Sequence, residues 1–471
     1  MNYDTFLEQK RHCTSQRGFT PLWNPDFLFD FQRHLLDWSL RSGRVAIFAD
    51  CGLGKTLISL VWAQNVVQHT NGRILILTPL AVRQQFAAEA ERFGIELALH
   101  PSPHASIVVA NYERLHQLDP GEYQGVVCDE SSILKHYSGK TQKAVTRFLV
   151  KIPYRLLASA TPAPNDYTEL GTSSEALGEL NYSDMLETFF KELDWDERRQ
   201  LLFEGHYSRR LSLRAIESMT RWRFKGHARE PFWRWVAAWA RAIRKPSDLD
   251  PTYDDARFHL PELIEQNHVV ASTRAPEGML FPLPAMSLRQ EIAERRAMLK
   301  ERCERVAELV SHDRPALVWC HLNCESEMLR RMIPNAVEVS GHDEEEVKEE
   351  CIMAFLRGDA RARVLITKPK IAGLGLNLQH CAHVVTFATH SFESYYQSVR
   401  RCWRYGQTRP VTADLVATEG EARLQSRLRA KCDRSNELYN QIVSWMRDAL
   451  NVHSTRQAPT IMLPRWLHEI N

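Results

Sequence analysis

Ala49-Asp-Cys-Gly-Leu-Gly-Lys-Thr56 is the stretch on which the reading of this chain turns. The apolar run Arg44-Val-Ala-Ile-Phe48 leads into it, and Leu57-Ile-Ser-Leu-Val-Trp62 continues with helical apolar spacing. Strand, glycine-containing turn and helix in that order place backbone N–H groups and a helix N-terminus where phosphate oxygens fit. In such a turn Lys55 reaches the β- and γ-phosphates and Thr56 ligates Mg²⁺. The residues from Ala49 through Asp50, Cys51, Gly52, Leu53 and Gly54 then form the cradle itself. The general pattern begins with glycine, where this chain has Ala49.

Working outward, Asp30-Phe-Gln-Arg-His-Leu-Leu-Asp-Trp-Ser39 is a helical segment about 20 residues ahead of the loop. Gln32 within it carries an amide able to donate to and accept from an adenine edge. The aromatic residues Phe19, Trp23, Phe27 and Phe29 read as packing. Downstream, Arg73–Thr78, Ser106–Tyr112, Gln124–Glu130 and Leu156–Ser159 read as buried strands, with a helix from Ala81 to Phe93. Strands alternating with helices predict a parallel sheet whose ligands gather at the strands' carboxyl ends. Asp129 and Glu130 stand at such an end, 74 positions beyond Lys55. Asp129 is expected to hold Mg²⁺ through water, and Glu130 to orient and deprotonate an attacking water.

The order AxxGxGKT, Asp-Glu, Ser-Ala-Thr resembles the first motor domain of superfamily 2 helicase-like ATPases, whose pattern carries alanine at the position of Ala49. Gln397-Ser-Val-Arg-Arg-Cys-Trp-Arg-Tyr-Gly-Gln407 is similar to the closing motif of the Swi/Snf branch. Gly373-Leu-Gly-Leu-Asn-Leu378 and Thr161-Pro-Ala-Pro-Asn165 match further motifs of that branch. The resemblance implies an α/β fold of two RecA-like parallel-sheet domains with ATP between them. It puts Gly375 and Gln397 at the nucleotide and makes Ser159, Ala160 and Thr161 the coupling segment. Thr78 and Asn111 fall where such motors touch nucleic-acid backbone. Arg401 and Arg404, three apart on one helical face, are expected to enter the cleft as arginine fingers. Ser131-Ser132 departs from the Ala-His that usually follows the acidic pair, which bears on coupling. Lys368-Pro-Lys370 also departs from the pattern. The short chain looks most like phage and prophage members.

The domains expected are 1–170, a helical, basic insertion with linker at 171–285, 286–418, and a helical brace with tail at 419–471. From Tyr207 to Lys245 eleven Lys/Arg face only Glu217 and Glu230, interleaved with four tryptophans. Arg221, Arg223 and Lys225 are candidates for backbone phosphate contact. Phe232, Trp235, Val236, Trp239 and Ile243 recur at helical steps, so the tryptophans read as core and the arginines as surface.

Over 471 residues the net charge is only +2, so a nucleic-acid surface has to come from local clustering. No apolar run is long enough for a bilayer, and scattered cysteines without CxxC spacing fit a reducing cytoplasm. Cys320-His321 with Cys324 reads as structural. The leading expectation is a monomeric, DNA-stimulated ATP hydrolase that translocates along duplex DNA, with ATP and Mg²⁺. A strand-separating helicase and an ATP-gated clamp on DNA or a protein partner stay open beside it. A packaging motor of the terminase kind would carry a nuclease domain and would not need the Arg401/Arg404 motif.

Overall fold

A computed structural model describes residues 17–447, apart from 80–81, 100–104, 165, 195–221, 272–287, 373–377, 390, 422–429, 431 and 434–435. The strands run β1 Arg44–Ala49, β2 Arg73–Thr78, β3 Ile107–Asn111, β4 Tyr123–Asp129, β5 Tyr154–Ala158, β6 Phe190–Glu192 and β7 Trp222–Phe224. They continue with β8 Ala240–Ile243, β9 Leu263–Val270, β10 Ala316–Trp319, β11 Ala336–Val339, β12 Val364–Thr367, β13 His383–Phe387 and β14 Val411–Thr418. Two six-stranded sheets result, ordered β3-β2-β4-β5-β1-β8 and β11-β12-β10-β13-β14-β9. Every pairing in both is parallel. These are the two RecA-like domains expected.

Sheets of this kind are covered on both faces by helices, which is why their strands are continuously apolar. Val45 to Ala49 is buried without a break, as is Ile107 to Asn111. The helix Lys55–Thr70 buries Leu57, Leu60, Val61 and Trp62 on one side of the first sheet. The opposite face carries Phe148, Leu149, Leu170 and the stripe Phe232, Trp233, Val236 and Trp239. Because β5 lies between β1 and β4 and all three run parallel, the phosphate loop, Ser159 and Asp129 emerge along one edge of the sheet.

Two boundaries differ from the sequence reading. The described parts of 171–285 do not stand apart as an insertion. The helix Arg229–Trp239 packs into the first core, and Ala240–Ile243 pairs with Ala46–Ala49 as that sheet's outermost strand. Leu263–Val270 crosses to the second sheet and pairs with Val411–Thr418. Trp233, Trp235 and Trp239 are core, whereas Trp222 is half-buried. Arg223, Arg229 and Arg234 are exposed, whereas Arg241 is buried with its guanidinium 4.2 Å from the Trp38 ring centroid. Arg221 and the linker at 275–285 lie outside the described residues.

The expected C-terminal brace is described in part. Leu438, Tyr439, Ile442 and Met446 pack against the first domain although they follow the second in sequence. Within the second domain, Arg302 and Glu325 form an ion pair of 3.0 Å at 1% side-chain exposure. The other carboxylate oxygen of Glu325 accepts from the N–H groups of His321 and Leu322, capping the helix Asn323–Met332.

Candidate active site

The phosphate loop owes its shape to two glycines. Gly52 and Gly54 hold φ of +90° and +80°, a region where a side chain is strained. A Cβ on Gly54 would stand 2.3 Å from Nε2 of Gln32. That amide donates to the carbonyl of Leu53 at 3.0 Å while its oxygen accepts from the N–H of Phe29. Gln32 therefore braces the loop, with one donor and one acceptor position left for a base edge. Beside it, Phe29, Tyr253, Arg257 and Phe258 line an open cleft of about 430 Å³.

Lys55 begins the helix Lys55–Thr70, whose N-cap Gly54 supplies no side-chain hydrogen bond. Its ammonium donates to the carbonyls of Ala49 at 2.6 Å and Asp50 at 3.1 Å. At the end of β4, Asp129 is buried and accepts from the Thr78 hydroxyl at 3.3 Å. Burial, reinforced by the charge of Glu130 and opposed by Lys55, pushes the Asp129 carboxyl up to about 7. A carboxylate so placed favours a cation next to it, and its oxygens and the Thr56 hydroxyl are donor types that suit Mg²⁺. Glu130 adopts φ +50°, uncommon for a residue with a side chain. Its Oε1 accepts from the hydroxyls of Ser132 at 2.9 Å and Ser159 at 3.0 Å.

Thr78 and Asn111 differ in setting from a surface contact. Both are buried, and Thr78 serves Asp129. The Asn111 side-chain oxygen finds no partner among the described residues. Arg223 is exposed, and Lys225 is half-buried with its ammonium on the carbonyl of Glu187. Gly375 lies outside the described residues.

The second domain meets this edge through the helix Phe392–Val399 and the turn after it. Arg401 and Arg404 sit in that turn, not on a helical face, because the helix stops at Val399. Arg401 still lies within electrostatic reach of Cys51, Glu130 and Asp129, and Arg404 within reach of Cys51, Arg401, Arg400 and Glu89. Burial lowers the pKa of both guanidinium groups from the ordinary arginine value. The Nε atoms of Arg400, Arg401 and Arg404 are all sealed without a partner among the described residues. Buried, underused donors clustered beside a phosphate loop suit a polyanion.

Several residues here escaped the sequence reading. Arg400 is 1% exposed, pairs with Asp50 at 2.8 Å and donates to the carbonyl of Cys51 at 3.0 Å. Tyr396 donates to the other Asp50 oxygen at 2.6 Å. The Tyr405 ring lies against Gly52, where an added Cβ would meet it at 3.0 Å. Tyr439 donates to the carbonyl of Ala160, just beyond β5, at 2.5 Å. Their only sequence signal is the four-residue step from Tyr396 to Arg400. Breaking a buried pair such as Asp50–Arg400 from one side costs about 3–5 kcal/mol.

The glycine turn and acidic pair thus lie on one parallel sheet, and the second domain supplies the arginine-bearing turn that meets them. Residues 300–406, which include Arg400, Arg401 and Arg404, match the helicase conserved C-terminal domain. Most of the second domain is therefore similar to a helicase C-terminal domain, as the motifs indicated. A solved structure, the Sulfolobus solfataricus SWI2/SNF2 ATPase core in complex with dsDNA, is similar at 14% identity and a TM-score of 0.38. That similarity covers 90% of this chain and 98% of the other. A comparison with curated proteins gives no match. Among the described residues no helix is long and apolar enough to cross a membrane, and no three His, Cys, Asp or Glu side chains are grouped to hold a metal ion.

Proposed function

We propose that this chain hydrolyses ATP between its two domains and spends that cycle on movement along duplex DNA. The observation that carries the reading is the docking of the second domain's arginine turn on the first: Arg400 pairs with Asp50 and the Cys51 carbonyl, and beside it the Nε donors of Arg401 and Arg404 have no partner among the described residues. Those two Nε donors, without partners among the described residues, would meet negative charge that develops between them and Lys55.

The roles follow from chemistry. Gln32 addresses the adenine edge, with Phe29 and Phe258 as apolar walls. The loop amides and Lys55 bind the phosphates. Thr56 and Asp129 would hold Mg²⁺, which would supply neutralisation of phosphate charge. Glu130 takes the proton of the attacking water, and Arg401 and Arg404 offset charge on the departing phosphoryl group. Closing and reopening of the domains then alternates the grip on DNA backbone. The Swi/Snf-like motifs favour tracking over unwinding.

A titration of ATPase rate with single-stranded, duplex and forked DNA, joined to a triplex-displacement assay, tests this. The expected result is slow turnover alone, strong stimulation by duplex and displacement of the third strand. Release of a paired strand would make it a helicase. ATP-tightened DNA binding without either activity would make it a clamp.

A further inference from the structure

Ser132 is placed between carboxylates of different domains. Its hydroxyl oxygen lies 2.9 Å from Oε1 of Glu130 and 2.6 Å from Oε1 of Glu393 in the second domain. A serine hydroxyl has one proton, so it serves one of these acceptors at a time. The other oxygen of Glu393 is paired with Lys135, a first-domain residue, and both side chains of that pair are 17% exposed. Docking of the second domain thus brings in an ion-paired carboxylate that competes for the Ser132 proton. The Ser159 hydroxyl is not contested in this way. It accepts from the N–H of Thr161 at 3.0 Å, leaving its own proton for Glu130.

We propose that Ser132 is a positioning residue whose hydroxyl proton passes from Glu130 to Glu393 when the domains dock. The proposal rests on the reading above, in which Glu130 handles the attacking water. With Ser132 turned to it, Glu130 Oε1 accepts from two hydroxyls, which leaves that oxygen without a lone pair for water. Once Glu393 claims that proton, one lone pair of Glu130 is released to accept from the nucleophile. No atom is transferred between residues. The hydroxyl only rotates, so domain closure is read directly as acceptor capacity at the base.

The test is a double-mutant cycle on the full chain, with ATPase rates measured with and without duplex DNA and fluorescent-nucleotide binding measured in parallel. Ser132→Ala removes the contested donor and is expected to raise DNA-free turnover about tenfold and flatten stimulation, the scale of one charge-assisted hydrogen bond. Glu393→Ala leaves Ser132 permanently on Glu130 and is expected to lower stimulated kcat by about tenfold with KM for ATP unchanged. The double variant is expected to behave as Ser132→Ala, and Ser132→Thr, which keeps the hydroxyl, to retain normal stimulation. Additive losses, or a Ser132→Ala protein slower than wild type in the absence of DNA, would overturn the proposal. Should Ser132→Ala not bind nucleotide, Lys135→Gln takes its place: it is expected to reproduce the Glu393→Ala loss, and a normal stimulated rate overturns the inference. A wild type without ATPase activity would instead overturn the functional reading, and this inference with it.

Discussion

Glu130→Gln is expected to slow single-turnover ATP hydrolysis by roughly a hundred- to ten-thousandfold, the range of general-base contributions, with nucleotide affinity retained. The substitution keeps the side-chain volume and an acceptor oxygen for the Ser132 and Ser159 hydroxyls. It also keeps the left-handed backbone at this position, which glutamine tolerates no worse than glutamate. What it loses is the ability to take a proton from water. Fluorescent-nucleotide titration beside rapid-quench hydrolysis separates the two effects. Substantial residual turnover would remove the base assignment from Glu130, and loss of nucleotide binding would show that the residue is structural.

Arg404→Ala is expected to slow turnover by about a thousandfold or more if it acts as supplied arginine fingers do. Arg404→Lys is not expected to restore the rate, because an ammonium cannot reproduce a planar donor fork. Arg400 provides the contrast. Its guanidinium is committed to Asp50 and the carbonyl of Cys51, so its work is holding the domains together. Steady-state kinetics distinguishes them: loss at Arg404 falls on kcat alone, because the side chain meets charge that exists only as the phosphoryl group departs. A rise in KM for ATP with kcat intact would make Arg404 a binding residue and contradict the assignment.

How much of this was legible beforehand depended on how strongly each residue announces itself. Continuous apolar runs such as Ile107–Asn111 are hard to read as anything but buried parallel strands, and the turn after β1 has few chemical uses. Ala240–Ile243 was invisible for the opposite reason. It extends the tryptophan stripe without a turn residue between, so helix and strand run into one apolar pattern. Leu263–Val270 is mostly exposed at a sheet edge, and its polar middle, Glu265-Gln-Asn-His268, carries no alternation. Arg400 was hidden by Arg401, since spacing argued for the pair three apart and gave no role to the neighbour. Thr78 shows the limit of position within a motif. Sequence locates it at a strand end, but only the fold turns its hydroxyl toward Asp129. Ser132 and Glu393, 261 positions apart, had nothing in the chain to connect them.

Everything above depends on one triphosphate being contacted from both domains at once. The direct measurement is a structure of the protein with Mg²⁺, ADP and a planar fluoride analogue of the departing phosphoryl group. Arg401 or Arg404 is expected within hydrogen-bond distance of the fluorides on one side, with Lys55 and Glu130 on the other. A complex in which the analogue is held by the first domain alone, with both arginines turned away into solvent or protein, would contradict the account.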